Sequence, residues 1–284
     1  MAPNPWLGRR VLNYAHQGGA REAPSSTLLA MRQAVAAGAH ALELDVHATA
    51  DRQLVVCHDA TVDRTTDGAG AIANLTLADL EKLDNAYWWV PGEVVAPGRD
   101  DSDYLYRGRA AVETSLRVTP LRDVLTQFDG VFLNLDIKQT APAVEPYEDL
   151  LASLLREFDR SDDVIVASFL DSAMAAFTAA APEIPTSYPS AGTVLFWQAV
   201  QGRQAPPPTN HVALQVPATF DQVVVVDEPF VTAAHDLGVA VHVWTIDDAE
   251  EMERLIDLGV DGIMTDRPSV LDQVLRARGV GWRP

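Results

Sequence analysis

Glu43 and Asp45 stand two residues apart inside an otherwise apolar run, Ala41-Leu42-Glu43-Leu44-Asp45-Val46. A strand sends alternate side chains to opposite faces, so both acids share one face while Leu42, Leu44 and Val46 share the other. Burying two carboxylates is costly unless a cation neutralises them or the pair retains a proton. The run from Val131 to Lys138 repeats the pattern, with Asn134, Asp136 and Lys138 alternating with apolar residues. Neighbouring strands would bring Asp136 beside Glu43 and Asp45. Three carboxylates make an all-oxygen donor set, better suited to Mg²⁺ or Ca²⁺ than to zinc. The other reading of the same residues is an ion-pair network with Lys138 and nearby arginines.

Two histidines flank these acids. His16 closes an apolar run and is followed by Gln-Gly-Gly; His58 closes a short run thirteen residues after Asp45. An imidazole titrates near neutral pH and can carry a proton in either direction. His40 falls in a helix-to-strand turn, and His47, His211, His235 and His242 fall on element faces, where structural roles are expected.

The elements that must position these groups alternate in type. Near-continuous apolar runs, the mark of parallel strands covered on both faces, lie at Val11–His16, Ala41–Val46, Val131–Ile137, Val164–Phe169, Ile184–Tyr188, His211–Val216, Val239–Thr245 and Gly262–Thr265. Helices are predicted near 26–37, 119–128, 145–158, 171–181, 190–201, 228–237, 247–258 and 268–277. Ser25 or Ser26, Thr119 before Pro120, Asp171, Asp247, and Asp266 before Pro268 are the expected caps. Strands regularly interleaved with helices predict an α/β fold of the (β/α)8 TIM-barrel type. An open doubly wound sheet is the runner-up, disfavoured because no Gly-rich phosphate loop follows a strand.

Residues 1–284 read as a single barrel domain. About 47–118 is too long for a simple connection and reads as an insertion over the barrel mouth. It opens with a hairpin-like stretch, Leu54–His58, passes a Gly-rich turn and a short helix near 77–83, and ends in a segment rich in aromatics, Pro and Gly. The segment GRQAPPPTN is a Pro-rich loop, and no internal repeat is evident.

The net charge of -19 argues against nucleic acid or an anionic membrane surface as a partner. If the substrate is itself an anion, a local cation must invert the sign. Cys57 is the one cysteine, so no intrachain disulfide is possible. With no signal-peptide pattern and no apolar run long enough to span a membrane, a cytoplasmic protein is expected.

The ordered motifs resemble those of the glycerophosphodiester phosphodiesterase family. AHQGGAREAPSST is similar to that family's A-H-R-G-x(5)-P-E-N-T. GAHALELDVHATADRQLVVCHDATVDRTTDGAG follows its long acid and H-D signature, LNLDIK is similar to L-N-I-E-I-K, and VHVWTIDDAEEMERLIDLGVDGIMTDRP resembles its last two strands. The resemblance runs from residue 15 to 268. It implies a metal-dependent (β/α)8 barrel that cleaves phosphodiesters with Mg²⁺ or Ca²⁺. By resemblance, Glu43, Asp45 and Asp136 are metal ligands, Asp136 standing where the family usually has Glu. His16 and His58 are the acid/base pair, Lys138 faces phosphate, and Trp244 lines the pocket. Gln17 stands where the family has a phosphate-contacting Arg, and Ser25 where it has Glu. This reads as a compensated loss of one charge of each sign, with Arg21 and Glu22 near enough to supply them differently.

The implied substrate is a small glycerophosphodiester with a free hydroxyl beside the ester. That hydroxyl would attack phosphorus through a cyclic phosphate, and glycerol 3-phosphate and an alcohol would be the products. Three alternatives remain from the sequence: lysophospholipase D-type cleavage with the YWWV aromatics at 87–90 lining an acyl groove, a catalytically silent binding barrel, and a zinc hydrolase, which the lack of an HxH at the first strand disfavours.

Overall fold

The computed structural model describes residues 4–7, 11–138 and 147–282. The chain runs β1 (Leu12–His16), α1 (Leu28–Ala36), β2 (Ala41–Ala48), β3 (Leu54–Val56), α2 (Leu77–Leu80), β4 (Thr119–Pro120), α3 (Leu121–Gln127), β5 (Phe132–Ile137), α4 (Glu148–Glu157), β6 (Val164–Ala167), α5 (Asp171–Ala180) and α6 (Ser190–Gln201). It continues through β7 (Ala213–Pro217), β8 (Thr219–Phe220), β9 (Val223–Val224), α7 (Glu228–Asp236), β10 (Ala240–Trp244), α8 (Ala249–Leu258), β11 (Gly262–Thr265) and α9 (Pro268–Arg278). The first residues expected for α4, 145 and 146, lie outside the described residues.

The parallel strands follow one another as β7-β10-β11-β1-β2-β5-β6. The gap between β6 and β7 is closed by single parallel bridges, Val166 with Thr186 and Ser187 with Ala213. Hydrogen bonds from Ser187 N to Val166 O and from Tyr188 N to Ala213 O complete the ring. The expected strand at Ile184–Tyr188 is thus reduced to bridges. Pro185 has no N–H to give a ladder, which limits regular pairing there. The closed ring rules out the open doubly wound alternative and gives the TIM-barrel architecture.

Strand periodicity sorts the side chains. Leu42, Leu44, Val46, Leu133, Leu135 and Ile137 pack outward with α3, α4 and α5 residues in one core. Leu214, Val216, Val241, Val243 and Ile263 pack with α6 to α9 residues in a second. Leu12, Tyr14, Ala41, Ile165, Ala213 and Met264 fill the barrel interior with Trp6. A middle layer is polar: Gln215 Nε2 donates to Asn134 Oδ1 at 2.7 Å, and buried His242 lies within 3.4 Å of the Tyr14 hydroxyl. No helix of the described residues is long and apolar enough to cross a membrane.

Several expected caps do other work. Thr27, not Ser25 or Ser26, accepts from Ala30 N to start α1. Thr119 donates its hydroxyl to Ser26 O, and Pro120 starts α3 with no side-chain cap. Asp171 sits inside α5 and accepts from Ala191 N. Asp248 caps α8, which frees Asp247 to accept from Thr265 Oγ1 and Asp266 N. α9 begins after Arg267 without a side-chain cap, and Asp266 turns into the barrel mouth.

β3 pairs antiparallel with both β2 and β4. The long stretch after β3 builds its own small cores around Val62, Ile72, Leu80, Ala86, Ala110 and Leu116. It docks on the loop after β1, with Trp89 Nε1 donating to Ala20 O and Arg21 Nη1 to Gly92 O. Its aromatics are committed internally: the Arg107 guanidinium lies over Tyr87, Trp88 and Tyr104, and Trp88 Nε1 donates to Thr66 O. The YWWV residues are therefore packing groups, and none of them lines the cavity at the barrel mouth.

Candidate active site

The parallel register of β2 and β5 pairs Glu43 with Asn134 and Asp45 with Asp136. Period two then turns all four side chains inward, toward the strand ends where barrel enzymes place their chemistry. These groups line one cavity of about 430 Å³ together with His16, His58, Lys138 and Trp244.

The carboxylates are deeply buried, at 6% exposure for Glu43, 1% for Asp45 and 5% for Asp136. Lys138 Nζ stands 2.9 Å from Asp45 Oδ1 and 3.0 Å from Asp136 Oδ2. Asp45 Oδ2 and Asp136 Oδ1 are buried with no hydrogen-bond partner. Burial, reinforced by the Asp45 charge, pushes Glu43 up to about 8. Burial likewise raises Asp136 to about 6 against the opposing pull of Lys138. The Lys138 ammonium is held well above its usual range, because the charges of Asp45 and Asp136 outweigh the cost of its burial.

The sequence led us to expect three acids converging on one cation. Among the described residues, no group of three or more His, Cys, Asp and Glu is drawn together as a metal cluster. Lys138 instead spans two of the acids. The two orphaned carboxylate oxygens are hard donors that a divalent cation would satisfy, so the residue set fits such an ion.

Both histidines are anchored through Nδ1. His16 Nδ1 lies 2.7 Å from Asp266 Oδ1, and His58 Nδ1 lies 2.7 Å from Asp59 Oδ1. A carboxylate on Nδ1 fixes the tautomer and leaves Nε2 for chemistry. His16 Nε2 is 3.8 Å from Glu43 Oε2. Burial alone would lower the His16 pKa, but the Asp266 hydrogen bond and the charges of Glu43, Asp266 and Asp45 raise it to about 9. Asp59 is held far below the usual carboxylate range, first by His58 and then by Arg64, whose Nε lies 2.5 Å from Asp59 Oδ2.

Neither Asp266, expected only as a helix cap, nor Asp59 was among the site residues expected from sequence. The available signal was position: each is an Asp directly after a strand end or beside a candidate histidine. His47, expected on an element face in a structural role, is buried, with Nε2 3.4 Å from His58 O.

Gln17 adopts a left-handed backbone, φ 51°. Its Nε2 sits 3.5 Å from His16 Nε2 and its Oε1 is buried without a partner. Arg21 and Glu22, expected near Gln17 and Ser25, do not line the cavity and are engaged elsewhere. Arg21 Nε pairs with Asp247 Oδ2 at 2.9 Å, and Glu22 accepts from Ser269 Oγ at 2.6 Å. Trp244 packs edge-on to Phe169 with centroids 5.7 Å apart.

Comparison with known proteins adds to this geometry. A model of the glycerophosphoryl diester phosphodiesterase family matches residues 16–270. The glycerophosphodiester phosphodiesterase of Caldanaerobacter subterraneus subsp. tengcongensis is 31% identical over 278 residues, covering 95% of this chain and 100% of that protein. That of Bacillus subtilis is 28% identical, covering 93% of this chain and 86% of that protein. The structure of an Oleispira antarctica phosphodiesterase in complex with the product sn-glycerol-3-phosphate superposes with a TM-score of 0.68 at 23% identity, covering 94% of this chain and 97% of that one.

Proposed function

The chain belongs to the glycerophosphoryl diester phosphodiesterase family, and from that premise we propose that it hydrolyses glycerophosphodiesters to an alcohol and glycerol 3-phosphate. The observation that carries this reading is a pair of carboxylate-anchored histidines in one cavity with a buried acid cluster. Relatives similar over nearly the whole chain bear the name of that activity.

Glu43, Asp45 and Asp136 would hold a divalent ion, Mg²⁺ or Ca²⁺. Bound there, the ion would offset charge on the phosphate oxygens. Lys138 provides a second positive charge at the same end. Gln17, beside His16, presents an amide where a relative's guanidinium would stand. Trp244 lines the same cavity, packed against Phe169.

His16 and His58 share the proton work. One Nε2 takes the proton of the substrate hydroxyl next to the ester as that oxygen attacks phosphorus. The other gives a proton to the departing alcohol, and a cyclic phosphate results. Water then opens the ring with the two roles exchanged. Asp266 and Asp59 keep each ring oriented so that Nε2, not Nδ1, faces the substrate.

A panel of glycerol diesters, assayed with chelator and then with Mg²⁺, Ca²⁺ or Mn²⁺ restored, tests the proposal. Glycerol 3-phosphate is the expected product, and turnover is expected to stop on chelation. Turnover of no diester overturns the activity, and turnover untouched by thorough chelation overturns the role given to the acids.

A further inference from the structure

Arg21 joins three parts of the chain at one point. Its Nε is buried and stands 2.9 Å from Asp247 Oδ2 and 4.0 Å from Asp266 Oδ2. Its Nη1 donates to Gly92 O at 3.0 Å. Gly92 N donates to Arg21 O at 2.9 Å, and Arg21 N to Asp266 O at 3.2 Å. The long stretch after β3 thus reaches Asp266, the carboxylate behind His16, through one guanidinium.

The seat of Arg21 follows from local sequence. Pro91 and Gly92 are the central residues of a turn closed by Glu93 N to Val90 O at 3.0 Å. Pro91 presets the first central position, and Gly92, at φ 88°, supplies the left-handed second one, the type II pattern. Beside the turn, Trp89 Nε1 donates to Ala20 O at 2.9 Å.

Asp247 Oδ1 accepts from Asp266 N at 2.8 Å, which ties the two acids to one turn. Like charges held together repel. The Arg21 guanidinium offsets that repulsion, so Asp266 keeps Oδ1 on His16 Nδ1 at 2.7 Å. Without it, relief comes from rotating the Asp266 carboxylate away from Asp247, and that rotation breaks the bond to His16. We propose that Arg21 is a positioning residue for His16, acting through Asp266, and that the turn at 90–93 holds it in place. This rests on the phosphodiesterase reading and deepens it. Arg21, Asp247 and Asp266 all lie outside the lining of the cavity, so the effect falls on the imidazole and not on substrate contact. Arg21 falls among the unspecified positions of A-H-R-G-x(5)-P-E-N-T, so the family resemblance assigns it no role.

The test is steady-state kinetics on a glycerol diester that the wild type turns over, with folding checked by circular dichroism. Arg21→Gln should lower kcat by roughly tenfold, the lower edge of the cost of losing an orienting partner, and leave KM unchanged. Arg21→Lys, which keeps the cation, should recover most of that loss. In an Asp266→Asn background, Arg21→Gln should cost nothing more, because groups acting through one link are not additive. Gly92 is exposed, and a Cβ there meets no atom within 4 Å, but a β-branched residue is strained at φ 88°. Gly92→Val should therefore loosen the turn and lower kcat in the same direction, and it decides the matter if Arg21→Gln does not fold. Wild-type kcat in Arg21→Gln or in Gly92→Val overturns the inference. So does a raised KM at unchanged kcat, a Lys variant no faster than the Gln variant, or independent losses in the double variant. Each of these leaves the phosphodiesterase reading standing, whereas turnover of no diester by the wild type removes both.

Discussion

Asp266 Oδ1 lies 2.7 Å from His16 Nδ1 although 250 residues separate the two in sequence. The strand order explains it. β11 and β1 are adjacent parallel strands, with Thr265 in register with Ala15. The residues that follow each strand therefore meet at the barrel mouth. Asp266 is itself placed by Asp247, which accepts from its backbone N at 2.8 Å and pairs with Arg21.

Asp266→Asn should test that relationship. Loss of an orienting partner behind a functional imidazole typically costs 10- to 100-fold in activity. We expect kcat to fall by about that much with KM little changed. Steady-state kinetics on a glycerol diester would settle it, and an unchanged kcat would mean that the carboxylate does not orient His16.

Removing either imidazole should cost more. His16→Ala and His58→Ala are each expected to lower kcat/KM by roughly 10²–10⁴-fold, the usual contribution of a positioned proton carrier. Circular dichroism should show the fold intact. Wild-type turnover in either variant would remove that residue from the mechanism.

Divalent-ion binding can be read without turnover. A ligand that binds only the folded state at one hundred times its Kd adds about 2.7 kcal/mol, worth roughly 5–10 °C in Tm for a chain of this size. Mg²⁺ or Ca²⁺ should raise the melting temperature by that order. Asp45→Asn, which alters an acid that is 1% exposed, should abolish the rise. An equal rise in wild type and variant would move the binding site elsewhere.

His242 should make the fold acid-sensitive. Burial lowers its pKa from 6.5 to about 4, with the Asp261 charge only partly opposing. Between those values the unfolded chain binds a proton that the folded chain refuses, so stability rises with pH across this window and is lost on acidification. The loss approaches an order of 3 kcal/mol by pH 4. Urea melts of wild type and His242→Gln from pH 7 to 4 should show a shallower pH slope in the variant, whatever its stability at pH 7. Identical slopes would count against this role.

Gly262 is a packing test in the same layer. A Cβ there would lie 2.8 Å from both His242 Cδ2 and Tyr14 Cε2. Gly262→Ala should therefore destabilise by about 1–3 kcal/mol, the range for overpacking a filled core. A denaturant midpoint equal to wild type would show that the interior layer yields.

Much of this protein was legible in one dimension because strands and helices carry different periods. The alternation in Ala41–Ala48 and Phe132–Ile137 fixed which side chains face inward, and the observed register of Asp45 with Asp136 follows from those strands being neighbours. Local chemistry misled in places. An Asp before a helix, as at 247 or 266, is the usual cap, yet both are drawn to partners at the ends of neighbouring strands. The aromatic cluster at 87–90 suggested a groove by composition alone, but Arg107 and backbone carbonyls claim it.

By itself, the sequence determined the alternating elements, the inward-facing acids and the pair of candidate histidines, because these depend on spacing along the chain. Only the tertiary structure decided that Lys138 bridges Asp45 and Asp136, that Asp266 anchors His16, and that Phe169, Val194 and Phe220 share a cavity with them. Those facts depend on closing the ring of strands. Ring closure brings together side chains far apart in sequence, and no local period encodes which of them meet.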